Sequence, residues 1–584
     1  LSAPEYGPTL KFSRDEHARK YRQEGETFRE RMTGVADGLK DSDPHFHSFR
    51  DPLLHQRFLP PGRVQAAVGS TRYHTPYNCF VSGTIPDSLS GITDKLGEAA
   101  QTMKLGGGIG YDFSTLRPRN DWIASQETSS SGAVSFAQPF DAMCKTIASA
   151  GNRRGAQMLG LRVDHPDIEE FVHAKVGDTS FLSQFNISVL VTDEFMQAVL
   201  RGESFPLRFG GRVYKWVDAQ RLWHEIMCAT WDWAEPGVLF IDRANEMNNL
   251  WYCEHLPVTN PCGEQWLPPY GACLLGAFNL PKYLYPWADT WIFDWQLFEA
   301  DIEAVYPAMD NVPDRATFPL DAQREEAQNK RRMGLGITGL ANAGEAMGMP
   351  YGSQEFLVWH DRVEWFLTNK LYELSALRAA EYGPFPAFDR EKFLNSKFVQ
   401  RLDPYVQDLI WRHGIRNSHL RSQAPTGTTS LCADNVSSGI EPVFSLGQSR
   451  KVRRRDDEGF VRIEEEGLVD YGWNFLGVEG KTVANGDVSV EDHLNVLEVA
   501  AYWNDSSVSK TTNISDDTTF EEFKNVYFEA WRRGAKGCTT FRPAGKRWGI
   551  LQSSDDSGDS GSSEEASGGA CTFDPETGVK SCDE

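Results

Sequence analysis

Hydrophobic and polar residues alternate along this chain with two different periods, and the switch between them outlines the fold. In FSRDEHARKYRQEGETFRERM (residues 12–32) apolar positions recur at helical spacing in a charged background, with Ser13 three residues before Glu16 as a candidate N-cap. From Pro60 to about Leu551, short apolar runs such as FNISVLVT (Phe185 to Thr192) precede amphipathic stretches such as DEFMQAVLRG. Strand-length runs that alternate with helix-length ones predict an α/β protein with mostly parallel strands, since parallel neighbours need a crossover. The pattern then disappears. SSDDSGDSGSSEEASGGA (Ser553 to Ala570) has no large apolar residue and the composition of a flexible linker. The expected organisation is a helical region over 1–58, an α/β body over 59–551 and a flexible tail over 552–584.

Composition narrows the function classes. With 40% hydrophobic residues and 30 prolines, the 584-residue chain is globular. A net charge of −23 argues against a nucleic-acid polymer as partner, so any phosphate binding has to be local. No apolar run approaches membrane-spanning length and no export signal is visible, so a soluble cytoplasmic protein is expected, in a bacterium or in the host of a phage. Ten irregularly spaced cysteines without a CxxC pair fit catalytic or redox thiols better than a disulfide framework or a zinc ribbon. No protein-bound metal ion is expected.

Candidate chemistry concentrates at Asn260-Pro261-Cys262-Gly263-Glu264, with Cys273 eleven residues beyond Cys262. A thiol can carry a radical, a carboxylate two residues away can take a proton, and an amide can hold a hydroxyl. Alone, such a string also fits a Pro-Gly turn with a buried cysteine. The whole segment NPCGEQWLPPYGACLLGAFNL (Asn260 to Leu280), however, resembles the active-site segment of ribonucleotide reductase large chains. Other strings agree in order. They are Tyr77-Asn78-Cys79-Phe80, the glycine cluster Lys104 to Gly110, AGNRRGAQM (Ala150 to Met158), RRMGLGITGLA (Arg331 to Ala341) and Pro425-Thr426-Gly427-Thr428-Thr429-Ser430. Singly, the glycine cluster is a weak nucleotide fingerprint, the threonine string could be a plain turn and the arginines a solvated face.

The resemblance implies a ten-stranded α/β barrel of two five-stranded parallel halves, with a central finger loop that carries Cys262. It implies a thiyl radical on Cys262, Glu264 as the proton acceptor and Asn260 as the group that orients the ribose. Cys79 and Cys273 would be the reducing pair and should face each other. Asn78, Gly107 and the turn Pro425, Thr426, Gly427, Thr428, Thr429 and Ser430 would hold the substrate, the turn by its phosphates. Asp87, Arg153 and Arg154 would answer to deoxynucleotide or ATP effectors that set substrate specificity. Cys571 and Cys582 would carry electrons from a thioredoxin- or glutaredoxin-type protein. An 18-residue linker spans roughly 20–25 Å end to end, enough to reach a pocket mouth.

The source of the radical separates the subclasses. Class I chains receive it from a metal-containing subunit through adjacent tyrosines, but this sequence has no Tyr-Tyr. Thr540 and Phe541 stand where the pair would be, in Lys536 to Arg542. Nothing near the C-terminal end resembles the class III glycyl-radical region. The resemblance therefore points to class II, with adenosylcobalamin as cofactor. The alternative is a class I large subunit that needs a separate radical subunit. A homodimer is expected, without an ATP-cone, because barrel-like sequence starts near residue 57. Diphosphate and triphosphate substrates both remain open, with diphosphates favoured by analogy.

Overall fold

The computed structural model describes residues 6–124, 127–147, 156–178, 180–455, 461–542, 571–573 and 580–582. It opens with three helices, α1 (Lys11–Tyr21), α2 (Phe28–Leu39) and α3 (Asp43–Leu54). Helix α2 starts on a capping box, in which Thr27 and Glu30 satisfy each other's backbone N–H groups. Helix α1 starts differently from the sequence expectation. Ser13 is a buried residue inside the helix, and Leu10 occupies the N-cap. The Thr9 and Leu10 N–H groups instead donate to Asp434 Oδ1 at 2.7 and 2.8 Å. A carboxylate 424 residues away in sequence thus does the work of the local cap.

The core is a large mixed sheet. FNISVLVT forms the Phe185–Val191 strand and the following run the Asp193–Arg201 helix. Five strands lie parallel and side by side in chain order: Cys79–Val81, Gly108–Asp112, Gln157–Arg162, Phe185–Val191 and Gly237–Phe240. At one edge Gly237–Phe240 pairs antiparallel with Gly537–Phe541, which in turn runs parallel to Thr511–Asn513. At the other edge Cys79–Val81 pairs antiparallel with Ala272–Cys273. The chain continues directly into Leu275–Asn279, which is parallel to Gly334–Thr338. Single parallel bridges, Leu335 to Arg421 and Gln423 to Val508, carry the pairing onward.

Strand alternation sorts the side chains into two apolar clusters. Phe80, Leu159, Val189, Val191, Val238 and Phe240 join the extensive core shared with the helices. Cys79, Val81, Met158, Leu190, Leu239, Cys273 and Leu275 point to the opposite face and form a second cluster. Leu256, Val258, Trp266 and Leu267 belong to that second cluster too, so the segment around Cys262 fills the space that the inner strand faces enclose.

The Cys571–Phe573 and Lys580–Cys582 strands form an antiparallel ladder with Cys571 in register opposite Cys582, and Lys580–Cys582 lies against the short Gly427–Leu431 helix. The linker 553–570 lies outside the described residues. No helix among the described residues is long and apolar enough to cross a membrane.

Candidate active site

The residues around Cys262 form the tip of a tight hairpin. Val258–Thr259 pairs antiparallel with Trp266–Leu267, and within the tip Asn260 N–H donates to Gln265 O at 3.0 Å. The Asn260 side chain closes the turn from inside, its Oδ1 accepting from Gln265 N–H at 3.0 Å. Gly263 has φ of +83°, a conformation that a side chain would strain, so glycine is required between the thiol and the carboxylate. Three contacts fix the hairpin to its surroundings. Asn186 Nδ2 donates to Pro261 O at 3.4 Å, and Ser422 Oγ donates to Glu264 O at 2.8 Å. At Gly110 the Thr259 carbonyl comes so close that a Cβ there would sit 2.0 Å from the oxygen. Asn260, Cys262 and Glu264 are all buried.

The arrangement puts a carboxylate able to accept a proton, an amide able to orient it and two thiols together in a buried interior. Asn260 Nδ2 donates to Glu264 Oε1 at 2.7 Å, and the same nitrogen lies 4.0 Å from Cys273 Sγ. Cys273 stands directly opposite Cys79 in the antiparallel ladder. Such neighbours have Cα atoms roughly 4.5–5.5 Å apart, inside the range a disulfide spans. Gly108, next to Cys79 in register, leaves room for the sulfur; a Cβ there would lie 3.2 Å from Cys79 Sγ. The pair can therefore give up two electrons and close a bond without moving its strands.

The family profile described as "Ribonucleotide reductase, barrel domain" matches residues 77–470 and 480–541. The chain belongs to the ribonucleotide reductase family. The family's reaction is thiyl-radical reduction of ribonucleotides to 2′-deoxyribonucleotides. Among its relatives, the vitamin B12-dependent ribonucleoside-diphosphate reductase of Mycobacterium tuberculosis (strain CDC 1551 / Oshkosh) is 34% identical over 498 residues, 81% of this chain and 69% of that protein. The enzyme of the same name from Thermoplasma acidophilum is 30% identical over 90% of this chain and 68% of its own length. The vitamin B12-dependent ribonucleotide reductase of Streptomyces clavuligerus is 28% identical over 93% and 64%.

Of the residues singled out in the sequence, the fold of this reductase brings Asn260, Glu264, Cys79 and Cys273 into one cluster, with Cys262 at the tip of the same hairpin. Asn78 is buried beside them, its N–H donating to Cys273 O at 3.3 Å. Gly107 packs against the Phe80 ring and Thr102, which gives it a steric role. The string after Pro425 opens the Gly427–Leu431 helix, with Thr426 in the left-handed region (φ +52°) and no side-chain cap on the first N–H groups. Thr426 Oγ1 accepts from Gly439 N–H at 2.8 Å, while Thr429 and Ser430 donate to carbonyls of their own turn. Asp87 holds Arg117 through its N–H at 3.1 Å and Nε at 2.9 Å. Arg153 and Arg154 lie outside the described residues.

Sequence reading missed Ser422 and Gln265. Gln265 follows Glu264 directly, so adjacency could have flagged it; both polar atoms of its buried side chain lack a partner among the described residues. Ser422 carries no local signal, because only the fold brings it to the hairpin; Gly110 belongs to the glycine cluster flagged in the sequence, and what approaches it closely is the Thr259 carbonyl.

Proposed function

We propose that this chain reduces ribonucleoside diphosphates to 2′-deoxyribonucleotides with adenosylcobalamin as radical source. The observation that carries the proposal is the facing pair Cys79 and Cys273 beside the Asn260–Glu264 hydrogen bond. The diphosphate preference rests on the names of the M. tuberculosis and T. acidophilum relatives. Adenosylcobalamin, when bound, would supply the organic radical that takes the hydrogen atom of the Cys262 thiol. The Cys262 sulfur then takes the hydrogen atom from C3′, and Glu264 takes the 3′-hydroxyl proton. Asn260 holds the Glu264 carboxylate in place for that transfer. Cys79 or Cys273 gives a proton to the departing 2′-hydroxyl, which leaves as water; the other thiol supplies the hydrogen that replaces it on C2′, and the two sulfurs, having supplied two electrons, end as a disulfide. The hydrogen atom returns to C3′ from Cys262. Burial of the cluster keeps water from the radical.

Residues on the Thr511–Asn513 and Gly537–Phe541 strands suit such a cofactor. Thr539 and Asn513 are uncharged and partly exposed, and buried Asn513 Oδ1 has no hydrogen-bond donor among the described residues, which fits a group rimmed with amides. The class I alternative needs stacked phenols here. Tyr527 does contact this strand, with its hydroxyl 2.9 Å from Thr540 Oγ1, but it is a single phenol in the outer core.

The pairing path supports a ten-stranded closure. Five parallel strands run from Cys79–Val81 to Gly237–Phe240, and five more are Gly537–Phe541, the 508–513 segment, the 420–424 segment, Gly334–Thr338 and the 272–279 segment. The uncapped turn after Pro425 would receive the substrate phosphates. Cys571 and Cys582 would form the tail's exchangeable pair, a reading supported by their opposed register. Asp87, with Arg153 and Arg154, would sense dNTP or ATP effectors in a homodimer.

The test is turnover of CDP by the purified chain with dithiothreitol, with and without adenosylcobalamin. Product only with the cofactor supports the proposal. No product in either case, with restoration by a metal-containing radical subunit, would favour class I.

A further inference from the structure

The substrate turn itself brings no formal positive charge. Its string, Pro425 to Ser430, is uncharged, yet a diphosphate arrives with about three negative charges in a chain whose net charge is −23. Backbone N–H groups orient an anion, but compensation of its charge needs a nearby cation.

That cation comes from the N-terminal helix. Lys20, in the last turn of α1, places Nζ 3.4 Å from Thr428 Oγ1. Helix α1 is held in this position at its start and in its middle. At its start, Thr9 and Leu10 bind Asp434, in the loop just after the turn, and Thr9 Oγ1 adds a bond to Asp434 Oδ2 at 3.1 Å. In its middle, fully buried His17 meets Gln65 Oε1 at 2.9 Å, and burial lowers the imidazole to about 3, so it stays neutral and packs as core. Arg19 and Arg22 flank Lys20. Burial pushes the Cys432 thiol directly after the short helix up to about 12, with Lys20, Arg19 and Arg22 acting against that rise and Glu16 adding to it. Lys20 is thus the cation of α1 that reaches the substrate turn.

We propose that Lys20 is a substrate-phosphate-binding residue, supplied to the barrel by the N-terminal helix. The family profile begins at residue 77, so this group lies outside the matched barrel sequence. The proposal rests on the reading of the Pro425–Ser430 turn as the phosphate site. Thr428 Oγ1 sets the ammonium at the mouth of the turn, where it can exchange the hydroxyl for a phosphate oxygen or hold both. A role in binding and none in the radical step predicts an effect on KM with kcat preserved.

The experiment compares the full-length wild type, Lys20→Met and Lys20→Arg with adenosylcobalamin, using CDP kinetics and the binding of CDP and cytidine. The expected result for Lys20→Met is a KM for CDP raised about tenfold or more, as for loss of a charge-assisted hydrogen bond, with kcat within about twofold. Cytidine binding should not change, and Lys20→Arg should recover most of the loss. An unchanged KM in Lys20→Met overturns the proposal. So does an equal loss of CDP and cytidine binding or of thermal stability, which would mark Lys20 as a structural prop. If the wild type itself binds cytidine as tightly as CDP, the phosphate-turn reading fails, and the Lys20 proposal with it. If the wild type discriminates and Lys20→Met discriminates equally, only Lys20 is wrong.

Discussion

Gly110→Ala tests whether the hairpin position, and not merely its residues, sets the rate. The added Cβ would lie 2.0 Å from the Thr259 carbonyl oxygen, about 1.4 Å inside the 3.4 Å at which ordinary contact starts. The strand cannot yield easily, because Gly110 is in register with Val81 on one side and Met158 on the other. The hairpin must move instead, and Thr259 is bonded directly to Asn260. A displacement of about 1 Å in a reacting constellation costs about 100-fold in rate, whereas overpacking costs about 1–3 kcal/mol of stability. A folded enzyme with kcat reduced about 100-fold is therefore expected. The assay is CDP reduction with dithiothreitol and adenosylcobalamin, alongside nucleotide binding and a thermal melt. Gly97→Ala is the control, since its Cβ meets nothing within 4 Å on the exposed side of a helix, and it should leave the rate unchanged. A folded Gly110→Ala enzyme with kcat within threefold of wild type would refute the argument.

Other outcomes follow from the same geometry. Cys262→Ser should abolish turnover and retain CDP binding; appreciable product would remove the thiyl assignment. With no external reductant, the wild type truncated after Gln552 should yield about one product per active site and lose two thiols, mapped by mass spectrometry to a Cys79–Cys273 disulfide; a different pair would refute the register argument. The truncated chain should also fail with a thioredoxin system while working with dithiothreitol, and multiple turnovers with thioredoxin would show that Cys571 and Cys582 are dispensable. Glu345 supplies a pH test. Burial raises its carboxyl from 4.5 to about 7, against N–H donors from Lys481 and Tyr351. The folded state then binds more protons than the unfolded state between those values, so this group's contribution falls as pH rises from about 4.5 to about 7, on the order of 3 kcal/mol in all. Lys536, lowered to about 7 by burial, acts with the opposite sign, so the comparison is between wild type and Glu345→Gln. The variant should gain Tm relative to wild type between pH 5 and 8, and a difference flat across that range would count against the reading.

Much of this protein was legible in local sequence because local chemistry produced it. The Phe185 to Thr192 run alternates as a half-turn period and became a strand; Asp193 onward follows a helical period and became a helix. Thr426 to Ser430 contained the small polar residues of a helix start and became one. Cys262, Glu264 and Asn260 lie within one turn of chain, so their partnership could be read without any fold. Other relations belong to the tertiary structure alone. Cys79 meets Cys273 because their two strands pair across the antiparallel edge of the sheet, a register that no spacing encodes. Ser13 lost the cap of α1 to Asp434, since a charged acceptor placed by the fold outcompeted a local hydroxyl. Gly110 could only be understood once Thr259 was laid against it, and Lys20 only once α1 was docked on the substrate turn. Sequence sets which groups are available and which local shapes they favour. Which distant groups face each other depends on the closing of the sheet and the burial of the hairpin inside it, free energies shared by the whole chain and written in no single segment.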